Sequence, residues 1–144
     1  VTEAGISVPG VWLACFLVGL GGALGSICRY LMAVCLPKIF NLSLPGTLVA
    51  NVVGCTIAGF ILGWAARGPS PTNPWLLSHS GRLLLLTGFC GGLTTFSTFA
   101  AETDSLIRAP KTDLAMIYLI LTLTASALAL RVGTAAAILL PGRT

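Results

Sequence analysis

The feature that most limits how this chain can fold is a set of four long, charge-poor apolar windows: Val11 to Leu36, Pro45 to Ala66, Leu83 to Leu106, and Leu114 to Leu139. A helical crossing of a bilayer takes roughly 20 residues, so each window is long enough for one. Hydrocarbon leaves backbone amides no water to bond, so a spanning segment must be a helix or a strand of a closed barrel. The windows are continuously apolar rather than alternating, which argues against barrel strands. Composition agrees, with 56% of the 144 residues hydrophobic and 8% charged, far from the balance of a soluble domain. The expected fold is an all-α integral membrane protein: one membrane domain over residues 1–144, four transmembrane helices, short loops and no soluble domain.

The first window reads as a true span rather than a cleaved signal. No Lys or Arg precedes it, it runs too long for a signal's apolar core, and it lacks a small-residue cleavage site. The five cysteines, Cys15, Cys28, Cys35, Cys55 and Cys90, all fall inside predicted spans without a C-x-x-C spacing, and are read as small buried hydrophobes. The isoelectric point near 9.0 does not point to nucleic acid, because the basic residues are scattered singly and no phosphate-binding stripe can be drawn. They serve better as membrane flanks. Enzyme chemistry is not suggested either: the single histidine, His79, has no cluster of acids around it.

Four spans put the N-terminus, second loop and C-terminus on one side and the other two loops opposite. One side then holds Arg67, Arg82, Arg131 and Arg143, and the other Arg29, Lys38, Arg108 and Lys111, four against four. Orientation follows the bias of basic loop charge, and here there is none. A chain so balanced is expected to insert both ways up, which allows an antiparallel homodimer; arginines lying too deep to count would instead leave a weak bias. The longest connection, Arg67 to Arg82, is rich in Pro, Ser, Asn and Gly and reads as exposed. Trp12 and Trp75 suit the headgroup level. The halves do not align as an inverted repeat, so two-fold symmetry would have to come from pairing two chains.

Glycine pairs at helical spacing, Gly21 with Gly25 and Gly59 with Gly63, read as close helix contacts. Arg29, one turn beyond Gly25 on the same face, points at a neighbouring helix, as a structural anchor or as an anion-attracting vestibule charge. Asn51 lies at middle depth in the second span with Thr47 one turn before it. A carboxamide there needs partners from protein, water or an ion. The fourth span offers a matching row at i, i+4 and i+8, Tyr118, Thr122 and Ser126. Hydroxyls in membrane helices often bond back to their own carbonyls, but three aligned opposite Asn51 read as a polar track.

The segment GGLTTFSTFAAE, Gly91 to Glu102, is the least ordinary stretch. Gly91 and Gly92 followed by hydroxyl residues can interrupt the third span around residues 91–95, leaving carbonyls that need a cavity, a partner chain or a cation. Converging carbonyl oxygens suit an alkali cation. Beyond them Phe96 and Phe99 share a face, with Glu102 three further on, among the hydroxyls of Thr94, Thr95, Ser97 and Thr98. Aromatic rings carry a positive edge, so a phenyl rim can face an anion while hydroxyls and the Asn51 amide donate hydrogen bonds.

GGALGSICRY (Gly21 to Tyr30), GTLVANVVG (Gly46 to Gly54) and GFCGGLTTFSTFAAE (Gly88 to Glu102) together resemble the signature of the Fluc/CrcB fluoride-channel family. The resemblance implies a dual-topology, antiparallel homodimer with two fluoride pores, each lined by both subunits. It further implies a structural sodium ion at the dimer centre, held by backbone carbonyls that map to Gly91 and Thr94. By that likeness Phe96 and Phe99 form an aromatic box, Asn51 faces the pore with Ser97 and Thr98 close by, and Tyr118, Thr122 and Ser126 form the fourth-helix track. Thr47 and Glu102 match positions near a pore end, and Arg29 the first-helix arginine. The implied activity is passive export of fluoride across a bacterial-type inner membrane. Two other classes fit the gross architecture: a small dual-topology proton-coupled exporter, which would want a membrane-embedded carboxylate, and a non-catalytic assembly subunit whose polar residues only glue helices.

Overall fold

The computed structural model describes residues 10–40, 46–67 and 78–140; Trp75, Arg143, Pro45 and most of the Arg67 to Arg82 connection lie outside the described residues. The described chain is helical: α1 (Val11–Phe40), α2 (Gly46–Ala65), α3 (His79–Arg82), a π-helical segment π1 (Leu83–Cys90), α4 (Gly91–Leu93), α5 (Phe96–Arg108) and α6 (Thr112–Leu139). Four stretches are long and apolar enough to cross a membrane: Val11–Leu36, Gly46–Ala65, His79–Arg108 and Thr112–Leu139. The chain is a four-span membrane protein, as its apolar windows require.

The third span is assembled from pieces with local causes. Ser78, extended at ψ 156, opens α3 by accepting the Gly81 amide on its hydroxyl at 3.1 Å, a standard N-cap. The helix then widens, so that the Gly91 N–H reaches the Leu86 carbonyl five residues back, as π-helical bonding demands. Thr94 (φ −80, ψ 153) and Thr95 (φ −151, ψ 126) are extended. The Thr95 hydroxyl starts α5 by accepting the Thr98 amide at 3.3 Å.

Packing divides the chain into two helix pairs. α1 lies along π1 and α4, while α2 lies along α6; α5, past the extended residues, packs on α6. The third span therefore changes partners at Thr94 and Thr95. Lipid gives helices no hydrophobic reason to associate, so close van der Waals approach carries the pairing. A Cβ at Gly25 would overlap the Phe89 carbonyl and the Leu93 amide, and one at Gly59 would overlap the Leu130 carbonyl. Both obstacles are backbone and cannot rotate aside. The predicted glycine contacts are thus realised, one on each pair. Gly25→Leu is expected to separate α1 from the third span and cost about 3 kcal/mol, the upper range for overpacking; thermal unfolding in detergent reads the loss.

Two expectations are corrected. Of the five free cysteines only Cys90 is buried; Cys15 and Cys35 are exposed and Cys28 and Cys55 lie between. A thiol facing hydrocarbon meets an apolar medium already and needs no protein cover. Arg67 is not simply a loop charge: its Nη1 donates to the Ala137 carbonyl at 2.8 Å, its Nη2 to the Leu140 carbonyl, and its guanidinium lies 5.8 Å from the Trp64 ring centre. It caps the C-terminus of α6, where a cation meets the negative end of the helix. Arg29 and Arg131 lie within α1 and α6 rather than beyond them. Removing one from each side leaves the charge count balanced.

Candidate pore-lining site

Three elements meet where the third span changes partners: α2 brings Thr47 and Asn51, α5 brings Phe99 and Glu102, and α6 brings Tyr118, Thr122 and Ser126. Helical periodicity sets each row, since residues four apart share a face. The α6 face turned inward carries Ala115, Tyr118, Thr122, Ala129, Gly133 and Ala137. Leu48, Phe99 and Tyr118 form the buried cluster behind the site, with Val52, Leu106, Leu119 and Ala125 packed against it.

At one end, Glu102 ties all three elements together. Its carboxylate accepts the Thr47 hydroxyl at 2.8 Å and the Tyr118 hydroxyl at 2.5 Å. One turn further along α2, Asn51 is engaged twice with one residue: Oδ1 accepts the Thr95 amide at 2.8 Å and Nδ2 donates to the Thr95 carbonyl at 3.2 Å. One Nδ2–H remains beyond those two bonds, since a carboxamide carries two donors. The Thr95 hydroxyl in turn lies 3.2 Å from Ser97 Oγ and donates to Thr98 Oγ1 at 3.3 Å.

Between these groups runs a row of rings and hydroxyls. The Phe99 ring centre is 5.4 Å from that of Tyr118 at an interplanar angle of 56°, and 5.7 Å from Phe96 at 58°, tilted so that edges meet faces. Phe99 is 5% exposed and Phe96 74%, so one ring turns into the chain and the other away from it. Thr122 Oγ1 and Ser126 Oγ are buried and make no hydrogen bond of ordinary length and angle among the described residues, although Thr122 lies beside the Tyr118 hydroxyl and Ser126 beside the Cys55 thiol. Other hydroxyls in these helices do bond back to their own turns, Thr56 to Val52, Thr103 to Phe99 and Thr124 to Ile120. Thr122 and Ser126 forgo that ordinary escape.

The structure joins Thr47, Glu102 and Tyr118 by hydrogen bonds, packs Phe99 on Tyr118 and ties Asn51 to Thr95; Thr122 and Ser126 continue the α6 row beyond Tyr118, and Ser97 and Thr98 are exposed at the start of α5. Phe96 and Gly91 face outward. Arg29 is half-buried on α1, and no hydrogen bond or ion pair joins it to the Asn51 or Glu102 groups. Sequence reading gave no special part to Thr95, the residue both Asn51 bonds reach. The available signal was its residue type directly before the helix resumes at Phe96, since threonine is a favoured N-cap residue.

Fold and site define a class: a multi-pass membrane protein of four helices with a polar row inside its apolar bundle. Residues 16–134 match the family described as CrcB-like protein, Camphor Resistance (CrcB), and the chain belongs to that family. It is 39% identical over 122 residues to a protein of Clostridium perfringens strain ATCC 13124 named Fluoride-specific ion channel FluC, covering 84% of this chain and 91% of that one. A Pseudomonas aeruginosa protein of the same name is 41% identical over 98 residues, 68% of this chain and 72% of its own. A third so named, from Pseudomonas syringae pv. maculicola, is 46% identical over 92 residues, 64% of this chain and 68% of that one.

Proposed function

We propose that the chain is a fluoride-selective passive channel, working as an antiparallel homodimer with two pores in a bacterial inner membrane. It belongs to a family of channels, not enzymes. The observation that carries the reading is the pair of buried hydroxyls on α6, Thr122 beside the Tyr118 hydroxyl and Ser126 beside the Cys55 thiol, neither holding a hydrogen bond of ordinary geometry. Buried donors without well-formed bonds are costly unless something visits them. A small, strongly hydrated anion passing in single file would be met by hydroxyls, the remaining Asn51 N–H and the positive rims of phenyl rings. Weak, multiple sites let an ion leave as readily as it enters. The N-terminus of α5 adds a favourable dipole for negative charge.

The second copy accounts for what faces outward. Phe96 and Gly91 are exposed on a span, and in this reading Phe96 serves the pore it shares with the partner chain while Phe99 serves its own. The third span acts as a broken helix at Thr94 and Thr95. The cation expected between two such breaks fits the donors present: the Thr95 amide, which would bond the Gly91 carbonyl in an unbroken helix, is diverted to Asn51, so the Gly91 oxygen loses that partner. Gly91 and Thr94 would hold sodium through carbonyl oxygens, hard donors suited to an alkali ion, and the ion would supply charge that holds two helix breaks together. Thr47, Glu102 and Tyr118 form the mouth, and Arg29 a vestibule charge.

Reconstituted vesicles loaded with fluoride test the function. The expected result is fast fluoride efflux with little chloride efflux and no need of a pH gradient. Equal chloride and fluoride rates would reject selectivity, and a strict dependence on a proton gradient would favour a coupled exporter.

A further inference from the structure

Asn51 reaches the third span through one residue, and the consequence lies in which backbone groups it takes. An α-helical amide bonds the carbonyl four residues back. Thr94 obeys this, donating to the Cys90 carbonyl at 3.0 Å. Thr95, next in line, would donate to Gly91; its N–H goes instead to Asn51 Oδ1 at 2.8 Å. What Asn51 takes from the helix is therefore the partner of the Gly91 carbonyl.

The same bond acts on a second oxygen. The Thr95 N–H and the Thr94 C=O belong to one planar trans peptide unit, whose two polar bonds point in opposite directions. Holding the N–H toward α2 turns the Thr94 carbonyl away from α2. Accepting that N–H also polarises the unit and enriches the Thr94 oxygen in negative charge. The second bond, Nδ2 to the Thr95 carbonyl at 3.2 Å, fixes the carboxamide so that it cannot swing off.

We infer that Asn51 is a positioning residue for the central cation: by capturing the Thr95 amide it releases the Gly91 carbonyl and aims that of Thr94, so that one side chain serves both the anion path and the sodium site. The inference rests on the reading that Gly91 and Thr94 hold sodium. It gives acceptor capacity at position 51 the decisive part. Aspartate keeps an oxygen for the Thr95 amide; leucine, similar in shape, offers none.

The test uses the full chain, wild type, Asn51→Asp and Asn51→Leu, purified into sodium-free buffer and titrated with sodium chloride. Sodium affinity is read from retained metal by atomic emission and from the sodium-dependent rise in unfolding temperature. Asn51→Asp is expected to keep most of the wild-type sodium affinity, weakened only by loss of the Nδ2 bond to the Thr95 carbonyl, and Asn51→Leu to bind at least tenfold more weakly than wild type. Asn51→Asp is expected to lose fluoride flux all the same, because a carboxylate repels the anion and has no N–H to give it, so sodium binding follows the acceptor rather than the activity. Sodium affinity unchanged in Asn51→Leu, or lost as fully in Asn51→Asp as in Asn51→Leu, overturns the inference. A wild type that binds no sodium removes the underlying site reading as well, which is a different result. A further measurement needs no variant: if sodium and the Asn51–Thr95 bond favour one backbone state, linkage requires sodium to slow hydrogen exchange at the Thr95 amide. Exchange there indifferent to sodium, in protein that binds it, also refutes the coupling.

Discussion

Phe96→Ile is expected to lower fluoride flux at least about 100-fold, equivalent to raising the barrier by roughly 2.7 kcal/mol, while leaving the chain folded and dimeric. Phe96 is 74% exposed on its own chain, so the substitution removes little packing within that chain. Isoleucine keeps apolar bulk, so the surface offered to a partner chain stays hydrophobic. What disappears is the ring's positive edge, for which an aliphatic side chain has no counterpart. Phe99→Ile should cost stability as well, because that ring is 5% exposed and packed on Tyr118 at 5.4 Å. Comparing the two separates pore chemistry from packing. Efflux by an ion-selective electrode and cross-linking of the same preparation give both readings, and normal flux in Phe96→Ile would remove that ring from the path.

The four spans were legible because hydrocarbon imposes one demand on every residue in a window, and Val11–Leu36 or Gly46–Ala65 meets it by composition alone. Rows along a single helix were legible too. Tyr118, Thr122 and Ser126 stand at i, i+4 and i+8, and periodicity places them on one face without knowledge of any neighbour. Contacts between helices were not. Glu102 gathers Thr47 from α2 and Tyr118 from α6, and no spacing along the chain relates those three residues. The widening of π1 over Leu83–Cys90 escaped for a different reason: LLLLTGFC is as apolar in a wide turn as in an ordinary one.

Charge was misread where geometry changed its meaning. Arg67 counts as a flanking residue by position, yet its guanidinium is spent on the carbonyls of Ala137 and Leu140. That couples the far ends of α2 and α6, whose opposite ends carry Thr47 and Tyr118 to Glu102. The α2–α6 pair is thus fastened at both ends, with Thr134 also donating to the Gly59 carbonyl at 3.1 Å between them, while Thr122 and Ser126 hold no well-formed bond across it.

That lack of well-formed bonds leads to a prediction with two readouts of opposite sign. Thr122→Val combined with Ser126→Ala is expected to leave unfolding temperature unchanged or raise it slightly, because each buried hydroxyl makes no well-formed hydrogen bond and its removal sheds a desolvation penalty at little cost in bonding. Valine reproduces the shape of threonine, and alanine leaves only the volume of one oxygen. Fluoride flux should move the other way. A hydrogen bond to a charged group contributes about 1.5–3 kcal/mol, so losing one raises the barrier enough for roughly a ten- to hundredfold fall in rate, and losing two compounds it. Residues that merely glue helices would behave in reverse, losing stability on substitution and leaving flux alone. A double variant that unfolds earlier and conducts normally would therefore assign the row to structure, whereas one that is at least as stable and conducts poorly marks Thr122 and Ser126 as groups whose partner is the travelling ion.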